Sequence, residues 1–242
     1  MADEMADDNG TKQSMEMEVT GHPGFRIVHG ICRPDARLVA ELAKYPTSNI
    51  ADAQERFGFM DPGIKRVSGG KMAGPAVTVL TRPGDNLMVH KALEVARPGD
   101  VVAVSTFGND NTAVFGEIMG TTLTGAGLEG IVVDGAVRDV GELREMGVKV
   151  FSRTVVGSAC DKDGPGEINF PVACGGVVVM PGDVIIGDSD GVVVVRASDL
   201  KYVLEKTRAI SAGEVVRIKE IKDGLLFKPD INRTLKGKGI IS

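Results

Sequence analysis

The chain has no tryptophan, few aromatic residues and no excess of positive charge. Aromatic residues make up 4% of its 242 residues, and the formal net charge at pH 7 is −5. Proteins that bind nucleic acid present a positive field to the phosphate backbone. This balance therefore predicts no nucleic-acid partner, and it means that an anionic small molecule would need a local cationic site.

Long apolar runs and paired cysteines are also missing. No run approaches the roughly 20 apolar residues that a membrane span needs, and the acidic residues 1–8 do not resemble a signal peptide. We therefore expect a cytoplasmic protein with no membrane partner. Cys32, Cys160 and Cys174 are odd in number and too widely spaced for a zinc site, which predicts three reduced, mostly buried thiols.

The order of polar and apolar segments predicts one domain behind an N-terminal arm. Residues 1–22 are polar and acidic, and we expect a disordered arm there. Residues 23–242 contain valine runs that do not alternate with polar residues, as in strands buried on both faces. The fold class is predicted as α/β, a single mixed α/β/β-layered domain with a C-terminal helix.

Local signals place the elements of this domain. The sequence Pro-Gly-Asp occurs three times, at 83–85, 98–100 and 181–183, and the last two copies lead directly into β-branched runs. Ser48 is predicted to cap a helix. Further helices are predicted over 34–43, 117–126, 140–146 and 198–222, and strands over 73–80, 101–104, 131–133, 150–153, 177–179, 184–186 and 192–195.

The segment from Gly116 to Met119 is a candidate anion site. If a helix begins here, its first amides have no partner within the helix and point outward with the positive end of the helix dipole. Such amides bind carboxylates and phosphates. The alternative is an ordinary helix start with Glu117 as an acidic residue in its first turn.

Arg138 and Asp139 form a second candidate feature. They follow Val133-Asp134-Gly135, which we expect to end a buried strand with a turn. Residues beyond the carboxyl end of a strand often line the ligand crevice of an α/β fold. Arg138 could bind a carboxylate through two hydrogen bonds, and Asp139 suits a hard cation such as Mg²⁺. The alternative is a surface ion pair of Arg138 with Asp134 or Asp139.

Taken together, the sequence resembles the RraA-like family, which has a swivelling-domain-like fold. The resemblance rests on the segment 116–119 and on Gly127-Leu128-Glu129-Gly130-Ile131-Val132-Val133-Asp134-Gly135-Ala136-Val137-Arg138-Asp139, and it extends over roughly residues 35–224. The family includes 4-hydroxy-4-methyl-2-oxoglutarate aldolase and the regulator of ribonuclease E activity A. Its aldolases are divalent-metal pyruvate aldolases, and the family forms trimers or dimers of trimers.

The resemblance implies a role for each candidate residue. The amides of Gly116, Glu117, Ile118 and Met119 would bind the substrate carboxylate, and Glu117 would handle water or protons. Arg138 would contact the pyruvyl oxygens and stabilise an enolate, and Asp139 would hold Mg²⁺ or Mn²⁺. A glutamate of the C-terminal helix would reach a neighbouring subunit. The best match for it is Glu214, with Glu205 and Glu220 as alternatives.

Two functions follow from the resemblance. The first is a class II aldolase that cleaves 4-hydroxy-2-oxo diacids to pyruvate and a carbonyl product and also decarboxylates oxaloacetate. The second is a non-catalytic regulator that binds ribonuclease E. Outside the motif, Arg153 is a weaker candidate for a distal carboxylate, and Asn86 and Lys91 could approach the crevice. His90 is expected to be a packed or surface residue.

Overall fold

The computed structural model describes residues 18–241. The strands are β1 Val19–Thr20, β2 Ile27–Val28, β3 Lys65–Ser68, β4 Met72–Thr81, β5 Val101–Ser105, β6 Ala113–Phe115, β7 Gly130–Val137, β8 Val150–Val155, β9 Gly166–Ile168, β10 Val172–Cys174, β11 Val177–Val179, β12 Val184–Gly187 and β13 Val192–Val195. The helices are α1 Ala36–Leu42, α2 Thr47–Ala53, α3 Leu87–Val95, α4 Glu117–Gly125, α5 Val140–Glu145, α6 Leu200–Lys222 and α7 Pro229–Gly237.

A large mixed sheet forms the centre of the molecule. Its main path runs β1-β2-β9-β4-β5-β7-β8-β3, with β12 also paired to β4 and β6 to β7. The central strands β4, β5, β7 and β8 are parallel to one another, whereas β9 and β12 pair antiparallel with β4, and β3 pairs antiparallel with β8. Parallel strands are usually covered on both faces, and this sheet follows that rule.

Alternate residues of the central strands enter two different cores. Val102 and Val104 of β5 pack with α3, α4 and α5 on one face. Val101 and Ala103 pack on the opposite face, together with residues of β10, β12 and β13. The valine runs lack a polar alternation because both faces are buried, and the predicted mixed α/β fold is confirmed.

A further helical layer covers the β12–β13 pair. Val184 and Ile186 of β12 pack against the helices α1, α2 and α6. Only the N-terminal part of α6 contributes buried residues, the last of which is Thr207. The second half of α6 and the following α7 are largely exposed. None of the described helices is long and apolar enough to cross a membrane.

The three Pro-Gly-Asp turns share a structural device. Their aspartates, Asp85, Asp100 and Asp183, are 0%, 1% and 3% exposed. Each carboxylate accepts hydrogen bonds from backbone amides and pairs with an arginine. A buried carboxylate is tolerated only with such partners, so each turn is fixed by its own aspartate.

Several local predictions need correction. The boundary after residue 22 stays a prediction: residues 1–17 lie outside the described part of the chain, and residue 22 itself lies in the connection between the paired strands β1 and β2. Strand β7 continues through Asp134 to Val137 because β6 pairs with its last residues. The α2 start depends on Asp188, which accepts from the amide and hydroxyl of Thr47, and not on Ser48.

Two further features were not foreseen. Helix α7, which begins with a proline in its first turn, follows α6 after a short connection. Of the three free thiols, Cys174 is buried and Cys160 is half-buried, but Cys32 is exposed, so the expectation of mostly buried thiols is wrong for Cys32.

Candidate active site

Two adjacent parallel strands bring the two halves of the sequence motif together. Strand β6 leads into Gly116 and α4, and its neighbour β7 leads into Arg138, Asp139 and α5. The Arg138 amide donates to the carbonyl of Phe115 at 3.0 Å, which extends this pairing by one residue. The anion site and the Arg-Asp pair, separate in sequence, therefore lie side by side.

Gly116 allows the close approach of these segments. A β-carbon at this position would lie 2.4 Å from Oδ2 of Asp139 and 2.9 Å from Cγ of Arg138. Its φ of −161° is ordinary extended backbone. The need for glycine here is therefore a matter of space and not of backbone strain.

Asp139, the last residue of the motif, contacts residues at its start. Its backbone adopts the left-handed conformation, with φ 55° and ψ 43°, just before α5. Its Oδ2 accepts from the amide of Glu117 at 3.1 Å and lies 3.3 Å from Nε of Arg138. Arg138 thus pairs with Asp139, as one of the sequence alternatives allowed, whereas Asp134 pairs with Arg153 at 2.7 Å.

These residues form one wall of a cavity of about 120 Å³. Gly116, Ile118, Met119, Arg138 and Asp139 all line it, in agreement with their grouping by sequence. We refer to this candidate active site as the catalytic cavity. Its opposite wall is formed by Asn86, His90, Cys160 and Lys162.

The opposite wall joins the start of α3 to the loop that follows β8. Asp85 holds these two segments together, because its carboxylate accepts from the amides of Leu87, Asp163 and Gly164 at 2.7–2.8 Å. Burial raises the pKa of Asp85, but these three amides and Arg82 outweigh it and hold the pKa below its ordinary value. Asp85 is therefore ionised at neutral pH and positions the wall.

Two titratable groups of this wall, His90 and Cys160, favour their neutral forms. Burial lowers the pKa of His90, and the charge of Lys162 lowers it further. Burial raises the pKa of Cys160, with a smaller contribution from Asp85, although Lys162 opposes the change. Near neutral pH, His90 is an uncharged imidazole, Cys160 is a thiol, and the cationic groups of the cavity are Arg138 and Lys162.

Asn86 presents an unsatisfied acceptor at the cavity. Its Nδ2 donates to the carbonyl of Val114 at 3.2 Å, while its Oδ1 is buried and has no donor among residues 18–241. Leaving a buried acceptor unpaired costs about 1–3 kcal/mol. A ligand that carries a hydroxyl or an N–H group would satisfy it.

The sequence predicted part of this wall. Asn86 was considered, and it does line the cavity, but Lys91, five residues later, does not. His90 lies at the cavity, where sequence alone favoured a packed or surface residue without a ligand role. No sequence signal marks Lys162 or Cys160, because both come from a loop whose path depends on contacts with Asp85.

Other predicted residues lie elsewhere in the chain. The side chain of Glu117 is exposed and does not line the cavity, although its amide contacts Asp139. Glu214 accepts from Nδ2 of the buried Asn49 at 2.7 Å and lines a separate surface cavity on α6. Arg153 is held by Asp134 and Asp61.

Two alternatives to Glu214 also lie on α6. Glu205 is exposed, and Glu220 pairs with Arg217 at 2.9 Å. Within residues 18–241, no three His, Cys, Asp or Glu side chains are grouped closely enough to form a metal site by themselves.

Fold and cavity together define a mixed α/β protein whose candidate site places Arg138 and Lys162 beside the start of α4. The model of the RraA-like family, described as Aldolase/RraA, matches residues 47–194, and the chain belongs to this family.

Named relatives fall into two groups. A protein of Halalkalibacterium halodurans named "Putative 4-hydroxy-4-methyl-2-oxoglutarate aldolase" is 36% identical over 191 residues, which are 78% of this chain and 90% of that protein. The RNA-processing inhibitor RraA from Thermus thermophilis has a structure with a TM-score of 0.58 and 30% identity, covering 62% of this chain and 92% of its own. The similarity thus includes both a protein named as an aldolase and one named as an inhibitor.

A third relative supports the fold. The structure of an uncharacterized protein from Pseudomonas syringae pv. tomato has a TM-score of 0.72 and 25% identity, with 80% of this chain and 96% of that chain covered. This similarity extends beyond residues 47–194 and includes most of the described chain.

Proposed function

We propose that this protein is a divalent-metal-dependent aldolase that cleaves 4-hydroxy-2-oxo diacids, such as 4-hydroxy-4-methyl-2-oxoglutarate, to pyruvate and a carbonyl product. The observation that carries the proposal is the meeting of Arg138, Asp139 and the start of α4 at one cavity. Decarboxylation of oxaloacetate yields the same pyruvate enolate, so we include it as a second activity of the site.

The start of α4 would bind the carboxylate of the 2-oxo acid. The amide of Glu117 is already used by Asp139, which leaves the amides of Ile118 and Met119 in the first turn of the helix. The dipole of this nine-residue helix adds a favourable field for an anion. Lys162, on the opposite wall, supplies a further cation for a dianionic substrate.

Arg138 would stabilise the charge that develops during cleavage. Breaking the carbon–carbon bond beside a 2-oxo group leaves the electron pair on the pyruvate fragment as an enolate. Nε of Arg138 lies 3.3 Å from Oδ2 of Asp139, and the guanidinium makes no hydrogen bond to any other group among residues 18–241, so it remains available to the oxygen of this enolate. A fixed cation aimed at developing charge typically lowers a barrier by a few kcal/mol.

Asp139 fits a weakly held hard cation. Its Oδ2 is committed to Glu117 and Arg138, but its Oδ1 has no partner among the described residues. Mg²⁺ and Mn²⁺ accept one or two carboxylates and keep several waters, so a single free carboxylate oxygen is a suitable ligand. When bound, such an ion supplies Lewis-acid stabilisation of the oxyanion.

Proton transfer would involve an acid of the motif and one from a neighbouring chain. The Glu117 carboxylate is exposed at the first turn of α4 and makes no ion pair with residues 18–241, so it is free to accept the proton of the substrate hydroxyl through water. The second acid in this proton transfer would be Glu214 of an adjacent subunit in a homotrimer or a dimer of trimers. The exposed apolar residues Val215, Val216 and Ile218 beside it support burial of this part of α6 in an assembly.

A direct assay tests the proposal. Pyruvate release is measured from 4-hydroxy-4-methyl-2-oxoglutarate and from oxaloacetate, with added Mg²⁺ or Mn²⁺ and with EDTA. We expect metal-dependent release that is lost in Arg138→Ala and Asp139→Ala and retained in the surface controls Arg56→Ala and Asp223→Ala. Absence of metal-dependent pyruvate release from every substrate would rule the proposal out.

A regulator that binds ribonuclease E is the second candidate. It is favoured by the similarity to the RNA-processing inhibitor. A pull-down with the ribonuclease distinguishes the two functions, since a regulator would capture it while remaining inactive in the pyruvate assay. The complete Arg138, Asp139 and α4 arrangement favours the enzyme, because a binding surface has no need of it.

A further inference from the structure

We propose that a second cavity, on the other side of α3, binds a small hydroxy acid. This cavity has a volume of about 330 Å³, at the lower end of the usual range for small-molecule sites. Its polar lining residues are His29, Arg33, Lys91, Glu94, Arg97 and Asn169. It is separate from the catalytic cavity, because none of these residues lines both.

Helix α3 lies between the two cavities. His90 lines the catalytic cavity, whereas the next residue, Lys91, lines the second one. Glu94, one turn further along α3, also lines the second cavity. Adjacent residues such as His90 and Lys91 point in different directions around a helix, whereas Lys91 and Glu94, three residues apart, share one face, so a single helix supplies a wall to each site.

Asn169 provides the first sign of a ligand. It is only 5% exposed, and its Nδ2 donates to the carbonyl of Val28 at 2.8 Å. Its Oδ1 is buried and accepts no hydrogen bond from any described residue. A buried amide oxygen without a donor is unfavourable, and a ligand hydroxyl would supply the missing donor.

Arg97 provides the second, independent sign. Two other cations of the cavity are already neutralised: Arg33 by two hydrogen bonds to the buried Asp100, at 2.8 and 2.5 Å, and Lys91 by Glu94 at 2.5 Å. The guanidinium of Arg97 has no acceptor within residues 18–241, although its amide donates to Asp100. Arg97 is therefore the charge available to a carboxylate.

These two groups define the class of ligand. A carboxylate would pair with Arg97, and a hydroxyl on the same small molecule would donate to Oδ1 of Asn169. Charge-assisted bonds to a guanidinium are about twice as strong as neutral ones. A carboxylate without a hydroxyl, or a hydroxyl compound without a carboxylate, would satisfy only one of the two groups.

Calorimetric titration with glycerate tests the site. The whole chain carrying Arg138→Ala is used, so that the catalytic cavity is weakened as a competing site. We expect one glycerate per chain, bound more tightly than propionate or glycerol. Adding Arg97→Ala should weaken glycerate binding by about tenfold, as loss of one charge-assisted hydrogen bond predicts. The matched control Arg56→Ala removes an exposed arginine elsewhere and should leave binding unchanged.

A second variant tests the buried amide. Asn169→Asp retains the size of the side chain and places a negative charge against the ligand, so it should abolish glycerate binding while a melting curve reports whether the protein is folded. The inference is overturned if glycerate does not bind, or if Arg97→Ala binds as Arg56→Ala does. Equal affinity for propionate and glycerate would also overturn it, because the hydroxyl would then have no partner.

Discussion

The carboxylate of Asp139 accepts a hydrogen bond of 3.1 Å from the amide of Glu117, which lies 22 residues earlier in the chain. This bond joins the start of α4 to the start of α5. It also removes one of the amides that the sequence offered to a substrate, so a ligand carboxylate would meet the amides of Ile118 and Met119. One oxygen of Asp139 remains for a cation.

The first prediction concerns the lack of room for a side chain at Gly116. Gly116→Ala should reduce pyruvate release by about 100-fold or more, because its methyl group would displace Asp139 and Arg138, and displacements near 1 Å can cost this much in rate. Steady-state kinetics measures the effect. Gly125→Ala, in the same helix with open space around it, is the control and should keep full activity. Equal activity of the two variants would contradict the proposed geometry.

The role of Arg138 yields the second prediction. Arg138→Ala should lower kcat by about 100- to 1000-fold, the usual loss on removing one group that stabilises developing charge. Arg138→Lys should recover part of the rate, since it restores charge without the planar guanidinium. The measurement is kcat and KM at saturating metal. A change in KM with unchanged kcat would show that Arg138 only binds substrate.

The third prediction concerns Asp85, which joins the start of α3 to the loop that follows β8. Asp85→Ala leaves three amides without their acceptor and removes one of the two carboxylates paired with Arg82, so it should lower the free energy of unfolding by about 3 kcal/mol, as for other broken buried pairs. Asp161 pairs with the same arginine from an exposed position. Asp161→Ala should therefore cost less than about 1 kcal/mol. Urea unfolding of both variants checks the difference, and similar losses would argue against this role for Asp85.

The pKa of His90 yields the fourth prediction. Because the folded protein lowers this pKa, the unfolded chain binds the proton more readily. Folding therefore loses stability as the pH falls below about 6.5, the ordinary pKa of a histidine in an unfolded chain. The contribution is fully present above that value. Lys162, whose charge contributes to the lowered pKa of His90, and Cys160, whose own pKa is raised by burial, line the same cavity.

Unfolding in urea at about pH 7.5 and pH 5.5 measures this contribution. The wild-type protein should lose more stability between these two values than His90→Gln, which has no imidazole to protonate. His22→Gln replaces an exposed histidine and should behave as the wild-type protein does. Identical losses in His90→Gln and the wild type would show that His90 is not held neutral.

The sequence predicted most of the fold because its local signals agree with the tertiary structure. The valine runs of β5 and β13 predict buried strands, and the start of α4 after Gly116 is found as predicted. Where prediction was wrong, a distant contact had replaced a local one. Asp188, and not Ser48, satisfies the start of α2, and pairing with β6 extends β7 past Asp134.

The candidate site was also predicted only in part. Gly116, Arg138 and Asp139 were found from sequence because they form one compact motif whose residue types suit carboxylates and cations. Lys162, Cys160 and His90 were not assigned to it, since they reach the cavity from two segments, distant in sequence, that tertiary contacts such as those of Asp85 bring together.

By itself, the sequence determined which strands are buried, where α4 begins and which motif carries the candidate chemistry, because these depend on residue type and short spacing. Only the tertiary structure decided what faces that motif, which amides remain free and that α3 separates two cavities. Those features depend on strand order and on contacts such as the one between Asp139 and Glu117, whose distance in space cannot be read from their distance along the chain.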